Sequence, residues 1–485
     1  MIFVLLNIIV ATVIPKKIKE SFCKISDQLI VILTVIEVFV LIYMVYNYYF
    51  ICGWDPGNDI YPDVLYVATG ETELLHHYYF SIWPNNLFMV YIFSIVRKID
   101  LCFGFLDVKT GYMGLLSFQS VIFSLVGFFT YKIARKVTNS VKTAWFAWLL
   151  YLCLVAVSPW LTFAYSDATG LLFPMLCVYL YLKAKDKGNF IYWGAIGLFG
   201  YFGYKIKPQT VFVLFSVLVI EFVLFFLNCK KQAFKELFKS VLKGALPLFV
   251  GIAIAITFVN HASNSMGYRL DTNKNFGWQH YLMMGLNDET DGACLPADSY
   301  ISLSPATKEE RAKVNLAEAK RRFLAYGAVG FLKHTAKKTL LNFDDGTFAW
   351  EEEGNFYKIT FKDKNRFLSP MLKSIYYEDG KYTKRWRDFA QMCWIFCLTG
   401  IVAFFIHIWR KKENYDSIVF VMVLSLAMLT AFETLFEARA RYLFTYAPVF
   451  ICISMIGWSA VVTYLSRIVN ARFHFVSRFR LGTKK

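Results

Sequence analysis

The sequence has few charged residues and no paired cysteine motif. Charged side chains make up 18% of its 485 residues and hydrophobic side chains 57%, and the mean hydropathy is +0.44. This composition excludes an ordinary soluble domain. The ten cysteines are scattered and no C-x-x-C occurs, which argues against a metal knuckle or a disulfide framework. No clear internal repeat is visible either.

Long apolar runs recur along the chain and predict an all-α polytopic membrane protein with about ten to eleven transmembrane helices. The basic residues behind the net charge of +17 lie in short clusters between these runs, as is typical of cytoplasmic loops. Residues 1–14 are apolar but marginal in length for a span. The ten predicted spans are 27–50, 111–131, 143–161, 166–182, 190–204, 210–227, 242–259, 389–407, 418–435 and 443–465.

This topology divides the chain into four parts. Residues 1–260 form an N-terminal transmembrane part with a catalytic first outer loop at 52–110. Within that loop, 85–106 should form a juxtamembrane amphipathic helix, because its apolar run has about ten residues where roughly 20 are needed to span. Residues 261–387 form a large outer loop with a predicted helix at 307–326. Residues 388–466 hold the C-terminal spans, and 467–485 form a basic cytoplasmic tail.

Three carboxylates, Asp55, Asp59 and Asp63, follow the first long apolar run within nine positions. Acids at the mouth of a membrane helix can reach a lipid headgroup without entering hydrocarbon. We expect Asp55 to be a general base that deprotonates a hydroxyl, with Asp59 and Asp63 as the next candidates. The competing interpretation of Asp55 is an Asx-turn with the Pro-Gly that follows it. Asp63 could equally be a helix N-cap.

Two mid-chain elements are predicted to face the same side as Asp55. In Tyr165-Ser166-Asp167, Ser166 or Asp167 could simply cap a helix, or Asp167 could be a second carboxylate for acceptor positioning or metal binding. Lys205 and Lys207 lie on the translocated side, against the positive-inside trend. They are predicted to bind a lipid phosphate; the alternative is snorkelling toward water.

A segment near the end of the chain contains acidic and basic residues close together. Glu437 and Arg441 are four residues apart, a spacing that predicts an ion pair on one helix face. Because charges near a membrane are costly, an arginine held by a glutamate and aimed at phosphate is the favoured interpretation. Arg441 is the first candidate and Arg439 the second.

The histidines give weaker signals. His280 lies in an aromatic amphipathic patch at 278–285 suited to sugar or lipid contact, although a histidine there is more often structural. His76 and His77 look like half of a metal site, but adjacent residues on a helix diverge by about 100°. We therefore predict no dedicated metal site and no certain cofactor, while a divalent metal stays possible.

These motifs together resemble the GT-C superfamily of polyprenyl-phosphate-sugar-dependent glycosyltransferases, in particular the protein O-mannosyltransferases and aminoarabinose transferases. The first loop departs from the paired Asp-Glu of the aminoarabinose enzymes, which leaves open which aspartate is the base. The matching elements are Asp55 followed by Trp83-Pro84-Asn85-Asn86-Leu87, Lys207-Pro208, and Arg439-Ala-Arg441-Tyr442-Leu443 before Pro448. Gly277–Leu286 with Asp344-Asp345-Gly346-Thr347-Phe348 resembles a bacterial envelope-polysaccharide branch.

The resemblance implies a GT-C-like bundle in the cell membrane that acts on the extracellular face. It implies inverting transfer of a hexose or pentose from a polyprenyl-phosphate donor to a cell-surface glycan, teichoic acid or lipid, with membrane lipids and no nucleic acid as partners. The alternatives are a lipid-linked sugar flippase or transporter, or a non-catalytic polysaccharide-assembly component. The expected catalytic residues are Asp55, Asp59 and Asp167, and the expected substrate-binding residues are Tyr165, Lys205, Lys207, His280, Glu437, Arg439 and Arg441.

Overall fold

The computed structural model describes residues 16–48, 50–51, 54–104, 108–229, 234–350, 359–360, 364–410 and 415–482. The undecided segment 1–14 lies outside these ranges. In the described chain, the only strands form one two-residue bridge, in which β1 (Phe50–Ile51) pairs antiparallel with β2 (Ile359–Thr360). The first eleven helices are α1 (Lys16–Asn47), α2 (Tyr61–Thr69), α3 (His77–Ile82), α4 (Leu87–Cys102), α5 (Val108–Thr138), α6 (Val141–Tyr151), α7 (Ser166–Gly170), α8 (Leu172–Lys187), α9 (Phe190–Ile206), α10 (Val211–Cys229) and α11 (Phe234–Ser265).

Eight further helices complete the described chain. They are α12 (Gly277–Gly285), α13 (Pro296–Leu303), α14 (Lys308–Phe343), α15 (Leu368–Tyr376), α16 (Thr383–Arg410), α17 (Ser417–Leu435), α18 (Arg441–Phe444) and α19 (Ala447–Gly482).

Seven helical stretches in the described ranges are long and apolar enough to cross a membrane. Large apolar side chains on them stay exposed, as Phe39 does at 67%, which suits a lipid environment and not water. Three more predicted spans contain shorter helices. The span 143–161 overlaps α6, the span 166–182 overlaps α8, and the span 190–204 overlaps α9. The predicted class, an all-α polytopic membrane protein, is confirmed. The seven stretches are Ile25–Asn47, Tyr112–Thr138, Pro208–Asn228, Leu242–Ser265, Thr383–Arg410, Ser417–Leu435 and Ala447–Ile468.

The helix predicted at 85–106 exists as α4. It buries Phe88, Met89 and Phe93, and the Phe88 ring centroid lies 5.2 Å from that of Phe202 in α9. The first loop is thereby packed against the spanning helices, which fixes where its polar side chains lie.

The helix predicted at 307–326 is also present and begins with a capping box. The Thr307 hydroxyl accepts a hydrogen bond from the Glu310 amide at 3.2 Å, and the Glu310 carboxylate accepts one from the Thr307 amide at 3.3 Å. These bonds satisfy amide groups that a helix start leaves unpaired. The helix continues to Phe343 after a break at Gly327, whose φ of 58° is readily adopted by glycine.

Helices α9 and α11 pack through glycines. A Cβ at Gly251 would lie 2.0 Å from the carbonyl oxygen of Gly194, and a Cβ at Gly197 would lie 2.0 Å from that of Leu248. Small residues allow membrane helices to approach this closely. Because α9 ends just before Lys207, this packing also sets the position of that lysine.

Gly251→Ala should lower the free energy of unfolding by about 1–3 kcal/mol, since the added methyl group forces the two backbones apart. Thermal unfolding of the full chain in detergent measures the loss. The matched control is Gly330→Ala in α14, where the new Cβ would lie 3.4 Å from its nearest neighbour in Tyr326. Equal melting temperatures for the two variants would contradict this account of the packing.

Candidate active site

Asp55 lies where the first loop turns back toward the bundle. A π-helical turn, Pro56–Ile60, begins directly after it. Its Oδ2 accepts a hydrogen bond from the Tyr79 hydroxyl at 3.0 Å, and the Asn86 amide donates to that hydroxyl at 2.8 Å. The Asp55 side chain makes no capping hydrogen bond to the turn, so the alternative Asx-turn is not what holds it. The carboxylate is oriented by Tyr79 instead.

Burial raises the pKa of the Asp55 carboxyl, whereas the Tyr79 hydroxyl and the positive charge of Arg441 act in the opposite direction. A carboxylate with a raised pKa is a stronger base than one in water. Burial also raises the pKa of Asp59, on which the charges of His76, Asp55 and Asp63 act. The charge of Arg441 acts on Asp55, and Asp55 directly follows Trp54, whose ring contacts that arginine.

Asp63 has a structural role. It is fully buried and accepts hydrogen bonds from the His76 amide at 3.0 Å, from His76 Nδ1 at 2.6 Å and from the Tyr268 hydroxyl at 2.6 Å. The prediction that Asp63 caps a helix is wrong, because α2 begins at Tyr61 and Asp63 lies inside its first turn. The aspartate joins the first loop to the chain that follows α11.

The structure brings Asp167 and Lys207 together. Lys207 Nζ lies 2.6 Å from Asp167 Oδ1, and both side chains are buried. The same ammonium lies 4.3 Å from the centroid of the Tyr442 ring. Burial lowers the pKa of Lys207, and the negative charge of Asp167 opposes that shift. The prediction that Ser166 or Asp167 is an N-cap is wrong: Tyr165 is the capping residue of α7, which leaves the Asp167 carboxylate to pair with Lys207.

The late motif is rearranged relative to the prediction. Helix α17 ends at Leu435 and α18 begins at Arg441, so Glu437 and Arg441 do not share a helix and the predicted i,i+4 geometry is wrong. Glu437 accepts a hydrogen bond from the Tyr442 hydroxyl at 2.6 Å, and its other oxygen lies 4.0 Å from Arg439 Nε. Because the helix breaks here, the chain can turn Arg441 toward the first loop.

Arg441 connects the late motif to the first loop. Its guanidinium carbon lies 4.9 Å from the centroid of the Trp54 ring and 5.5 Å from that of Tyr442. Such cation–π contacts hold a cation without neutralising it. Tyr165 packs edge-on against Trp54 with ring centroids 5.2 Å apart. Residues from four distant segments therefore meet at one end of the bundle, as predicted for Asp55, Asp167, Lys207 and Arg441.

Two predicted substrate-binding residues lie elsewhere. His280 is buried, its Nδ1 lies 2.7 Å from the Ser302 hydroxyl, and burial lowers its pKa to about 4. Ser302 in turn donates to Asn315 at 3.1 Å, so His280 belongs to the internal hydrogen bonds of the 261–350 segment. Lys205 is partly exposed, with its ammonium 5.9 Å from the ring centroid of Tyr204. Neither residue contributes a contact to the Asp55 and Lys207 groups in the described structure.

Several residues of the site were not singled out from the sequence. They are aromatic or acidic side chains that belong to no recognisable sequence motif, so only the packing of the structure shows that they lie in the site. Tyr281 is an example: it is next to His280 in α12, yet Asp55 and Glu437 both act on its pKa, which burial raises. The set comprises Trp54, Tyr79, Tyr281 and Glu433.

Within the described ranges, no three His, Cys, Asp or Glu side chains come close enough to form a metal-binding group. The described residues of the site offer a carboxylate, a buried lysine, a half-buried arginine and a wall of aromatic rings.

The fold and this buried polar cluster define a polytopic helical membrane protein with a polar site at one end of its bundle. A family model described as "conserved hypothetical integral membrane protein" (CHIM_prot) matches residues 1–462, and the chain belongs to this family. No curated protein matches the sequence.

Removing one member of the Lys207–Asp167 pair should be much more harmful than removing both. Lys207→Met or Asp167→Asn alone leaves a buried charge without its counterion, which costs about 3–5 kcal/mol. The double variant should lose less than the sum of the two by at least about 1 kcal/mol. Thermal unfolding in detergent gives the three values.

The matched control for this cycle is the exposed pair Lys384 and Asp388, whose charged atoms are 3.1 Å apart. Lys384→Met and Asp388→Asn should each change the free energy of unfolding by less than about 1 kcal/mol. Strict additivity at Lys207 and Asp167 would show that the buried pair is not coupled.

Proposed function

We propose that this protein is an inverting glycosyltransferase that takes a sugar from a polyprenyl-phosphate donor and attaches it to an envelope glycan, teichoic acid or lipid outside the cell membrane. The observation that carries the proposal is the meeting of the Asp55 carboxylate with the buried Lys207 and the half-buried Arg441, two cations that share the Tyr442 ring. The basic loops at the opposite ends of the predicted spans support an extracellular location for this site.

Asp55 supplies the base. Its carboxylate removes the proton from an acceptor hydroxyl while the hydroxyl oxygen attacks the anomeric carbon of the donor sugar. The bond from that carbon to the phosphate oxygen breaks, and its electron pair stays on the phosphate, which leaves without needing a proton. Burial favours this role because it raises the pKa of Asp55 toward the working pH.

Lys207 and Arg441 supply the positive charge that stabilises the leaving phosphate. Negative charge grows on the leaving phosphate, and cations fixed in a buried site stabilise it more than they would in water. Lys207 is fixed by Asp167 and Arg441 by the Trp54 and Tyr442 rings. Asp167 thus acts mainly as a positioning residue, and Glu437 positions Tyr442.

A lipid-linked donor fits the surroundings of Lys207. Helix α10 begins four residues after it and exposes Phe215 and Val219 on its apolar surface. An isoprenoid chain could lie along this surface while its phosphate stays at the helix end, where charges are tolerated.

Asp55→Asn should abolish transfer while the protein is still made and inserted, since an amide cannot take the proton. The measurement is glycan analysis of envelope polymers from a deletion strain complemented with each variant. We expect the deletion to remove one sugar from one polymer, and the wild-type chain and Asp59→Asn to restore it. The exposed Asp388→Asn is the matched control.

Full restoration by Asp55→Asn would remove Asp55 from the site, and loss in Asp59→Asn alone would move the base to Asp59. The purified chain also separates the two main function classes. If it moves a lipid-linked sugar across liposomes without forming a glycosidic bond, it is a transporter and the proposal is wrong.

The pH dependence of transfer should reflect the ionisation of the Asp55 carboxyl. A base works only when ionised, so a raised pKa places the acidic limb of the rate profile above the usual carboxylate range. The Tyr79 hydroxyl stabilises the ionised form, so Tyr79→Phe should raise the pKa further and move this limb up by about one pH unit. The readout is kcat/KM against pH with the acceptor that the glycan analysis names.

The matched control for this shift is Tyr300→Phe, which removes the hydroxyl of a tyrosine that is 71% exposed. Its acidic limb should coincide with that of the wild-type chain. A limb that moves to lower pH in Tyr79→Phe would contradict the assignment.

A further inference from the structure

Glu433 is a buried carboxylate without a hydrogen-bonding partner in the described structure. It lies in the last turn of α17 and is 1% exposed, and neither of its oxygens accepts a hydrogen bond from a described protein group. Leaving a buried acceptor unsatisfied is unfavourable, and more so for a charged group. Native structures rarely keep such a group without a use for it.

The surroundings of Glu433 place it in the proposed site. The charges that act on it come from Lys207, Glu437, Lys338 and Asp167. The two lysines are already engaged: Lys207 pairs with Asp167, while Lys338 Nζ donates to the carbonyl oxygens of Gly285 at 2.7 Å and Phe436 at 2.6 Å. Glu433 is therefore close to the cations without being held by either.

Other unused polar atoms lie around Lys207. They are Asp167 Oδ2, the Thr169 hydroxyl and the Gln209 amide nitrogen, all buried and without a hydrogen-bonding partner in the described chain. The backbone is tight here, since a Cβ at Gly170 would lie 3.2 Å from Lys207 Cβ. Together with Glu433 they offer both acceptors and donors, which is the pattern that a hydroxyl-rich ligand satisfies.

We propose that Glu433 determines sugar specificity by accepting hydrogen bonds from hydroxyl groups of the donor sugar. The inference rests on the proposed function and deepens it. A neutral hydroxyl fits better than a further ion, because two lysines and two carboxylates already act on Glu433. The donor sugar fits better than the acceptor, because its anomeric carbon is bonded to the phosphate assigned to Lys207, which keeps the neighbouring hydroxyls next to that lysine.

The test measures binding of lipids to the full chain in nanodiscs. The probes are undecaprenyl phosphate and undecaprenyl-phosphate hexoses that carry glucose, galactose or mannose. The wild-type chain should bind at least one hexose lipid more tightly than undecaprenyl phosphate. Glu433→Gln should reduce that preference about tenfold, the loss expected when one hydrogen bond to a charged group is removed. Its affinity for undecaprenyl phosphate should stay within about twofold.

Two further variants keep the result interpretable. Glu433→Asp retains the charge but withdraws the carboxylate by one methylene group, and should lose the same preference even if Glu433→Gln folds poorly. Glu289→Gln, a change at an exposed glutamate, should bind all four lipids as the wild-type chain does.

Each other outcome overturns the inference. Equal weakening of all lipids by Glu433→Gln would assign Glu433 to phosphate binding or to folding, and no change in preference would exclude it from the sugar. An unchanged donor preference with a raised KM for the acceptor would move the subsite to the acceptor. If the wild-type chain binds none of the four lipids, the proposed function itself fails, which is a distinct result.

Discussion

The Lys207–Asp167 ion pair fixes the polar end of this helical bundle. Two charges buried together are costly to desolvate and are kept only where geometry and hydrogen bonds compensate. Here the ammonium also faces the Tyr442 ring, and Tyr442 donates to Glu437. A series of contacts thus runs from Asp167 in α7 to Lys207 at the end of α9. From there it continues through the Tyr442 ring to Glu437, which lies between α17 and α18.

The Trp54 side chain connects the first loop to the rest of the site. It receives the Arg441 guanidinium on its face and Tyr165 at its edge, and Asp55 follows it directly in the chain. The bundle therefore contains one cation, Lys207, that is paired with a carboxylate and a second, Arg441, that packs on the Trp54 and Tyr442 rings.

The sequence was sufficient to predict the class of fold and the charged residues of the site. Long apolar runs indicate membrane helices, and charged residues directly beside such runs are rare. Asp55, Asp167, Lys207 and Arg441 could each be named, but that Asp167 pairs with Lys207 could not be derived. That pairing depends on α9 ending at Ile206 and on Tyr165 capping α7. Sequence spacing does not encode such tertiary geometry.

The remaining errors and omissions have the same origin. Asp63 and His280 were plausible functional residues until burial showed them bound to Tyr268 and Ser302. Glu437 and Arg441 have helical spacing, yet the chain between them is not helical. Tyr79 was invisible because tyrosine is common in such a sequence and only its hydroxyl contact with Asp55 distinguishes it.

The close approach of Gly285 to the end of α17 has a mechanical consequence. A Cβ at position 285 would lie 2.4 Å from the Phe436 carbonyl oxygen, and Lys338 binds the carbonyls of both residues. The segment of 261–350 that carries α12 and α14 is thereby attached beside Glu437. A displacement of this segment would therefore strain these contacts and shift residues 433–437, so we expect the segment and the end of α17 to move together.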